Sequence, residues 1–383
     1  MDTPVASVGE ETLPIVVSGP RRPRKRLIHA IQILVAVVII VATFAYAIPK
    51  LADYSKVWAT LGALTLKDML LLIGVTAFNI FTYWPQMTAS LPGLTLAQAA
   101  VNNQSSTTVA NTVPGGGFIA NGITIGMYRS WGFSGAQIGL SMLITAIWNS
   151  FIKLGLPIVA VVILAVQGRT TTLLIPALIG LAALAGVVGL FAGTLWKKTL
   201  ARRIGRGVGA AWSYVRRLLR KPPVQGWDEA AVRFRKRTIK LVSKRWIPLT
   251  VWSVVSHLGL FSVLLVALRI VGVSSAEVSW AQVLGVFAFG RLLTALPLTP
   301  GGLGVVELAY IGGLVLAGRH QTTLPVDVFR AHIAAGVLLF RALTYGAQIP
   351  LGGVTYLIWQ RKKSWRKHPP KVEEPVGVAA GVS

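Results

Sequence analysis

The chain has no cysteine, which excludes disulfides, thiolate metal sites and a cysteine nucleophile. Histidine is scarce, with 5 in 383 residues, and none sits at metal-ligand spacing, so no zinc signature exists. Acidic residues are few as well: 12 Asp and Glu stand against 38 Lys and Arg, a formal net charge of +26. Charged residues make up only 13% of the chain against 54% hydrophobic ones, and the mean hydropathy is +0.64. That composition excludes a set of soluble domains and describes a multi-span membrane protein.

The cations are clustered: five lie in residues 21–26, sixteen in 197–245 and six in 361–371. A nucleic-acid binder spreads or stripes its charge along a face, whereas cations parked beside apolar runs mark cytoplasmic loops. Nucleic acid is therefore not an expected partner. The pattern predicts a multi-pass protein of the cell membrane with both termini in the cytoplasm. In residues 27–49, Ala45-Tyr46-Ala47 fits a signal-peptide cleavage pattern. The run nevertheless has the roughly 20 residues that a bilayer core demands, more than the about 7 to 15 of a signal sequence. A retained anchor is expected, preceded by a disordered basic cytoplasmic tail over residues 1–26.

Residues 51–67 mix polar and apolar positions in a way that suits a helix lying in the outer interface. Residues 69–128 then hold no charge over 60 positions, too many for one span. Residues 69–91 predict an outward-to-inward crossing. Residues 95–113 look helical but carry Asn102, Asn103 and Asn111, and stop at Pro114-Gly115-Gly116-Gly117. Backbone freed by Pro and Gly at membrane depth is tolerated only where protein or water covers it, which predicts a re-entrant hairpin over residues 95–128. Spans over 136–166 and 170–196 follow. The first carries Asn149 and Lys153 one helical turn apart, and Lys153 must snorkel or pair. The basic stretch 197–245 reads as a cytoplasmic connector whose amphipathic helices rest on anionic lipid.

Beyond it, residues 246–271 span outward, and 280–318 form a second re-entrant hairpin about Pro300-Gly301-Gly302-Leu303-Gly304. Residues 328–359, interrupted by Arg341 and Pro350, return inward to a basic cytoplasmic tail over 361–383. The expected fold is all-α and polytopic, with about six full spans and two re-entrant helical hairpins. Its first membrane half is 27–196 and its second 246–360.

Placing Pro114 on Pro300 aligns Pro-Gly-Gly-Gly with Pro-Gly-Gly-Leu, and the same 186-residue shift carries Asn121 onto Glu307. Counted from the basic blocks, the first hairpin enters from the cytoplasm and the second from outside. The two units are then inverted repeats, a transporter-like plan. Each break starts a half-helix whose free N–H groups carry roughly half a positive charge toward it. Two such ends near the midplane suit an anion, and the anion a membrane holds in abundance is lipid phosphate. Glycine would let a headgroup approach the backbone; close helix packing is the alternative use of the same glycines.

Glu307 is the single acidic residue inside an apolar run. An ionisable group there costs roughly 2.5–3.5 kcal/mol on insertion scales, so a cation must offset it, and Arg291 and Arg341 are available. Its role stays open between a headgroup ligand, a proton-coupling carboxylate and a structural ion pair. His257 reads as a hydrogen-bonded helix residue, with a proton relay as the alternative. The sequence holds no catalytic constellation, metal site or cofactor motif. A lipid-linked transferase wants carboxylates at an outer site, where only Asp53 and Asp68 stand.

Residues 297–307 (Pro-Leu-Thr-Pro-Gly-Gly-Leu-Gly-Val-Val-Glu), with Asn111-Thr112-Val113-Pro114-Gly115-Gly116-Gly117 and the closing Phe340-Arg341-Ala342-Leu343-Thr344-Tyr345, carry a resemblance. Over residues 27–360 the chain resembles the membrane region of the lysylphosphatidylglycerol synthase/flippase family. The resemblance implies a flippase-type domain that moves a modified anionic lipid, aminoacylated or glycosylated, between leaflets. By motif it carries Pro300, Gly301, Gly302, Gly304, Glu307 and Arg341 over to the lipid pathway. Pro114, Gly115, Gly116, Gly117 and Asn121 of the first hairpin, with Arg291 on the descending helix of the second, complete the candidate lipid-binding set. Twelve residues follow Lys371, so the aminoacyl-transfer domain of full-length synthases is expected to be absent and the chain to be no enzyme. Membrane lipid, a separate lipid-modifying enzyme and a second copy of the chain are the expected partners. The competing readings are an ion-coupled secondary transporter of a small anionic solute and a membrane-embedded lipid-linked transferase.

Overall fold

Four helix starts in this chain are written as Ser or Thr with Gln or Asp three residues on. Thr65 with Asp68, Thr95 with Gln98, Ser134 with Gln137 and Ser279 with Gln282 each form a reciprocal capping box, satisfying two backbone N–H groups that a helix start would leave orphaned. A computed structural model describes residues 41–113, 116–168, 174–218, 226–294 and 299–365, with 34 and 38. Most of the anchor expected over residues 27–49 lies outside the described residues. Among those described, all regular structure is helical.

A helical segment ending in Ile48–Leu51 leads into α1 (Tyr54–Gly62) and α2 (Leu66–Ser90). The first broken pair follows, α3 (Leu96–Thr112) and α4 (Gly116–Ser130), then α5 (Gly135–Val166) and α6 (Leu174–Trp196). The basic connector forms α7 (Lys198–Leu218) and runs into α8 (Trp227–Ile270). The second broken pair is α9 (Trp280–Leu293) and α10 (Val305–Gly318), and α11 (Val326–Arg341) continues through a π-helical turn, Ala342–Gly346, into α12 (Gln348–Arg361). Among the described residues, five stretches are long and apolar enough to cross a bilayer: Leu66–Ser90, Gly135–Val166, Ile179–Trp196, Trp227–Ile270 and Pro300–Gly318. The chain is an all-α polytopic membrane protein.

Length and composition alone would make Pro300–Gly318 a separate crossing. Its packing pairs it with the preceding helix: α10 lies along α9, and Gln282 at the start of α9 donates to the Ala317 carbonyl at the end of α10, 3.0 Å away, so the two helices run antiparallel about the Pro300–Gly302 turn. The legs of α3 and α4 likewise pack together, with Thr124 donating to the Asn102 side chain at 3.3 Å. The outer ends of the two hairpins lie in different cores. Ala99, Val101, Met127 and Tyr128 join Trp131, Trp359 and Trp365 at the end bearing Arg361 and Lys362. Val278, Val283 and Leu314 join Val57, Val271 and Phe329 in a second core.

Helix packing is reciprocal between the halves. The helices that precede the hairpins, α2 and α8, pack on each other, α9 packs on α5, the helix after the first hairpin, and α3 packs on α12, the continuation of the helix after the second. Polar side chains tie α2 to α8: Gln86 donates to Ser253 at 2.7 Å and to Asn149 of α5 at 2.9 Å, and Asn79 donates to the Ser256 carbonyl at 3.1 Å. Gly352 permits the α3–α12 approach, since a Cβ there would land on Thr108 Oγ1 and the Gln104 carbonyl. α8 runs unbroken for 44 residues, about 66 Å at 1.5 Å per residue, so the expected boundary between connector and span at residues 245 and 246 falls inside one helix.

The turn from α8 to α9 is pinned by charge. Arg269 donates to the carbonyls of Val273 and Val278 at 2.8 and 2.7 Å, and Glu277 accepts from Ser274 N–H at 2.8 Å and from Thr322 at 2.7 Å. Burial works to raise the Glu277 carboxyl, but the hydrogen bonds from Thr322 and Ser274 and the field of His332 outweigh it and hold it below the ordinary carboxylate range. A depressed folded-state value contributes stability above the ordinary value of 4.5 that is lost as pH falls through the folded value. Melting temperatures measured from pH 6 down to 3 are expected to fall more steeply for the native chain than for Glu277→Gln; parallel curves would remove Glu277 from the acid response.

Candidate functional site

The two glycine breaks meet. Asn111 lies in the last turn of α3, and its backbone carbonyl accepts a hydrogen bond from the Tyr345 hydroxyl in the π-helical turn after α11. The Pro300 carbonyl of the second tip lies 3.3 Å from the same hydroxyl. Gly301 takes φ +57° in the turn Pro300–Gly302, and a Cβ there would strike the Tyr345 ring and come within 3.0 Å of Asn111 Oδ1. Both the left-handed backbone and the space exclude a larger residue. Across the first break, a Cβ on Gly116 would collide with the Val109 carbonyl and lie 2.9 Å from Ala110 Cα. Pro114 and Gly115, part of the expected site, lie outside the described residues.

Glu307 builds the second tip from behind. The residue is 0% exposed; one side-chain oxygen accepts the Gly304 N–H at 2.7 Å and the other accepts from Arg341 Nε at 2.6 Å. Arg341 in turn donates to the Gly301 carbonyl at 3.1 Å and lies over the Tyr345 ring, 4.7 Å from its centroid. The electropositive start of α10 is thereby occupied by the helix's own carboxylate. Arg341, not the dipole of α10, presents the charge at this tip.

A cleft of about 690 Å³ opens beside the meeting point. Of the expected residues, Gly116, Gly117, Asn121, Arg291, Pro300, Gly301, Gly302 and Arg341 line it. Glu307 and Gly304 stand behind the wall. The cleft also takes Lys153 of α5 and a set of neutral polar groups, among them Asn103, Asn111, Asn149 and Tyr345. Lys153 is legible in the sequence as a lone cation in an apolar run, but periodicity alone does not fix which neighbour its face meets.

Three cations, Lys153, Arg291 and Arg341, thus face one space, and among the described residues the only carboxylate ion-paired to any of them is Glu307, leaving +3 − 1 = +2. Among the described residues neither Lys153 nor Arg291 has a carboxylate within ion-pair distance, and Arg291 Nε is buried without a hydrogen-bond partner. His257 is buried outside the lining, its Nδ1 2.9 Å from the Ser253 carbonyl. A polar cavity with uncompensated cations inside an apolar helix bundle can accommodate an anion.

The family model for the lysylphosphatidylglycerol synthase TM region matches residues 31–352. The chain belongs to that family. No curated protein matches it. Both hairpins, their tips and every charged residue of the cleft fall inside the matched segment, and membership in the lysylphosphatidylglycerol synthase TM family points to a membrane protein with a lipid-related function.

Proposed function

We propose that the protein translocates an anionic lipid between leaflets, with the headgroup passing through the cleft between the two hairpin tips. The observation that carries this reading is the net positive charge of the cleft: Lys153, Arg291 and Arg341 converge on it, while Glu307 is turned away from it toward Arg341 and Gly304. A phosphate supplies acceptors for Lys153 and Arg291, which have no carboxylate within ion-pair distance among the described residues, and charge-assisted hydrogen bonds are about twice as strong as neutral ones. On this reading the hairpins re-enter from opposite faces as inverted repeats, which accounts for the reciprocal packing of α3 on α12 and α9 on α5. The end with Arg361 and Lys362 faces the cytoplasm of a cell membrane, and catalysis is left to a separate lipid-modifying enzyme.

An ion-coupled carrier of a small anion would use the same cations, but a coupling cation would add positive charge to a cleft that already carries a surplus, and no Asp or Glu is among the lining residues to offset it. The test is reconstitution of the full chain in phosphatidylcholine vesicles containing a trace of fluorescent phosphatidylglycerol, with outer-leaflet label destroyed by dithionite. The expected result is loss of nearly all the fluorescence within minutes, against about half in protein-free vesicles, where lipids stay in their leaflet. Equal residual fluorescence in the two would overturn the proposal.

A further inference from the structure

A second cleft of about 560 Å³ adjoins the cationic one, the two sharing Tyr83, Asn103, Asn121 and Asn149. It extends toward Ser90, Tyr128 and Ser141, the part of the molecule where Tyr128 packs with Trp131 and Trp359. Its lining is of a different kind. Five side-chain amides, those of Gln86, Asn102, Asn103, Asn121 and Asn149, face it with several hydroxyls and no charged group of either sign.

We infer that the transported headgroup is a phosphate ester of an uncharged, hydroxyl-rich group, a glycosyl or polyol phosphate, and not an aminoacylated one. This rests on the translocation reading above and narrows its substrate. The phosphate sits among Lys153, Arg291 and Arg341, and the hydroxyl-bearing part extends into the amide-lined cleft. Amides and hydroxyls each donate and accept, which matches a sugar or polyol, whose hydroxyls do both. An aminoacyl group brings ammonium, which only donates. It would have to lie next to a cleft of net charge +2 with no carboxylate in either lining to receive it, and like charges at such range in a poorly screened interior repel.

The amides at the junction are also available. Asn103 and Asn121 line both clefts, and neither side chain has a hydrogen-bond partner among the described residues. By contrast Asn149 accepts from Gln86 at 2.9 Å and Asn102 accepts from Thr124 at 3.3 Å, so those two hold the wall. The volume of about 560 Å³ lies within the range of roughly 300–1,000 Å³ typical of ligand pockets.

The experiment compares fluorescent phosphatidylinositol with fluorescent lysyl-phosphatidylglycerol in phosphatidylcholine proteoliposomes of the full chain, and in parallel follows uptake of radiolabelled glucose 1-phosphate into the same vesicles. The inositol lipid is expected to cross about tenfold faster or more than the lysyl lipid. The Asn103→Leu/Asn121→Leu variant is expected to slow the inositol lipid about tenfold and the lysyl lipid much less, as for a site built to hydrogen-bond hydroxyls. A lysyl lipid moving as fast or faster, or a variant slowing both lipids alike, overturns the inference and leaves lipid translocation standing. Movement of glucose 1-phosphate with no lipid movement overturns the lipid reading while the chemistry assigned to the clefts holds. Movement of none of the three overturns both.

Discussion

Replacing Lys153 and Arg291 together by glutamine is expected to lower lipid movement by about 100-fold or more while raising the melting temperature of the protein. Hydrogen bonds to charged groups contribute about 1.5–3 kcal/mol each, and each 1.36 kcal/mol of barrier is tenfold in rate. Removing two such hydrogen bonds from the transit step therefore slows it by more than 100-fold. The stability change has the opposite sign because neither cation is ion-paired among the described residues, and an unpaired cation at membrane depth costs roughly 2.5–3.5 kcal/mol. Groups held against the fold's own stability are those a ligand must satisfy. Dithionite assays and thermal melts on the same preparations check both halves. If activity and stability fell together, the two cations would be scaffold and the cleft would lose its assignment.

The elements legible in the sequence share one physical origin: exclusion of water. No charge occurs in residues 69–128, so any backbone freed at Pro114-Gly115-Gly116-Gly117 has to be covered by protein or lie in a cavity. Glu307 has to find a cation, and Arg341, one of the two available, is its partner. What stays hidden depends on facing. Whether Glu307 points into the cleft or behind it follows from a single turn of α10, and the Gly304 N–H that captures it is invisible without the left-handed backbone at Gly304 (φ +86°). Lys153 belongs to the cleft only because α9 packs on α5, an approach of residues far apart in the chain. The continuity of α8 is hidden for another reason: hydrophobicity changes abruptly near Trp246 while helix propensity does not, so a boundary in polarity mimics a boundary in structure.

The ion pair between Glu307 and Arg341 supplies the second large effect. Arg341→Met leaves Glu307, with 0% exposure, holding only the Gly304 N–H, and breaking a buried pair from one side costs about 3–5 kcal/mol. Glu307→Gln is expected to cost less. The amide still accepts the Gly304 N–H, and the abandoned Arg341, whose side chain is 14% exposed and lines the cleft, can turn to water or to a bound anion. The double variant Arg341→Met/Glu307→Gln is expected to recover most of the stability, because removing the whole pair destabilises far less than removing half of it. Its transport is expected to stay low, since the cation facing the cleft is gone. Denaturation measured across this cycle gives the coupling between the two residues directly, and the vesicle assay on the same four proteins gives their part in transport. Were Glu307→Gln alone to abolish movement at undiminished stability, with Arg341→Met tolerated in both assays, Glu307 would be the group that touches the headgroup or carries a proton. The tip would then have to open far enough to expose a carboxylate that it now encloses.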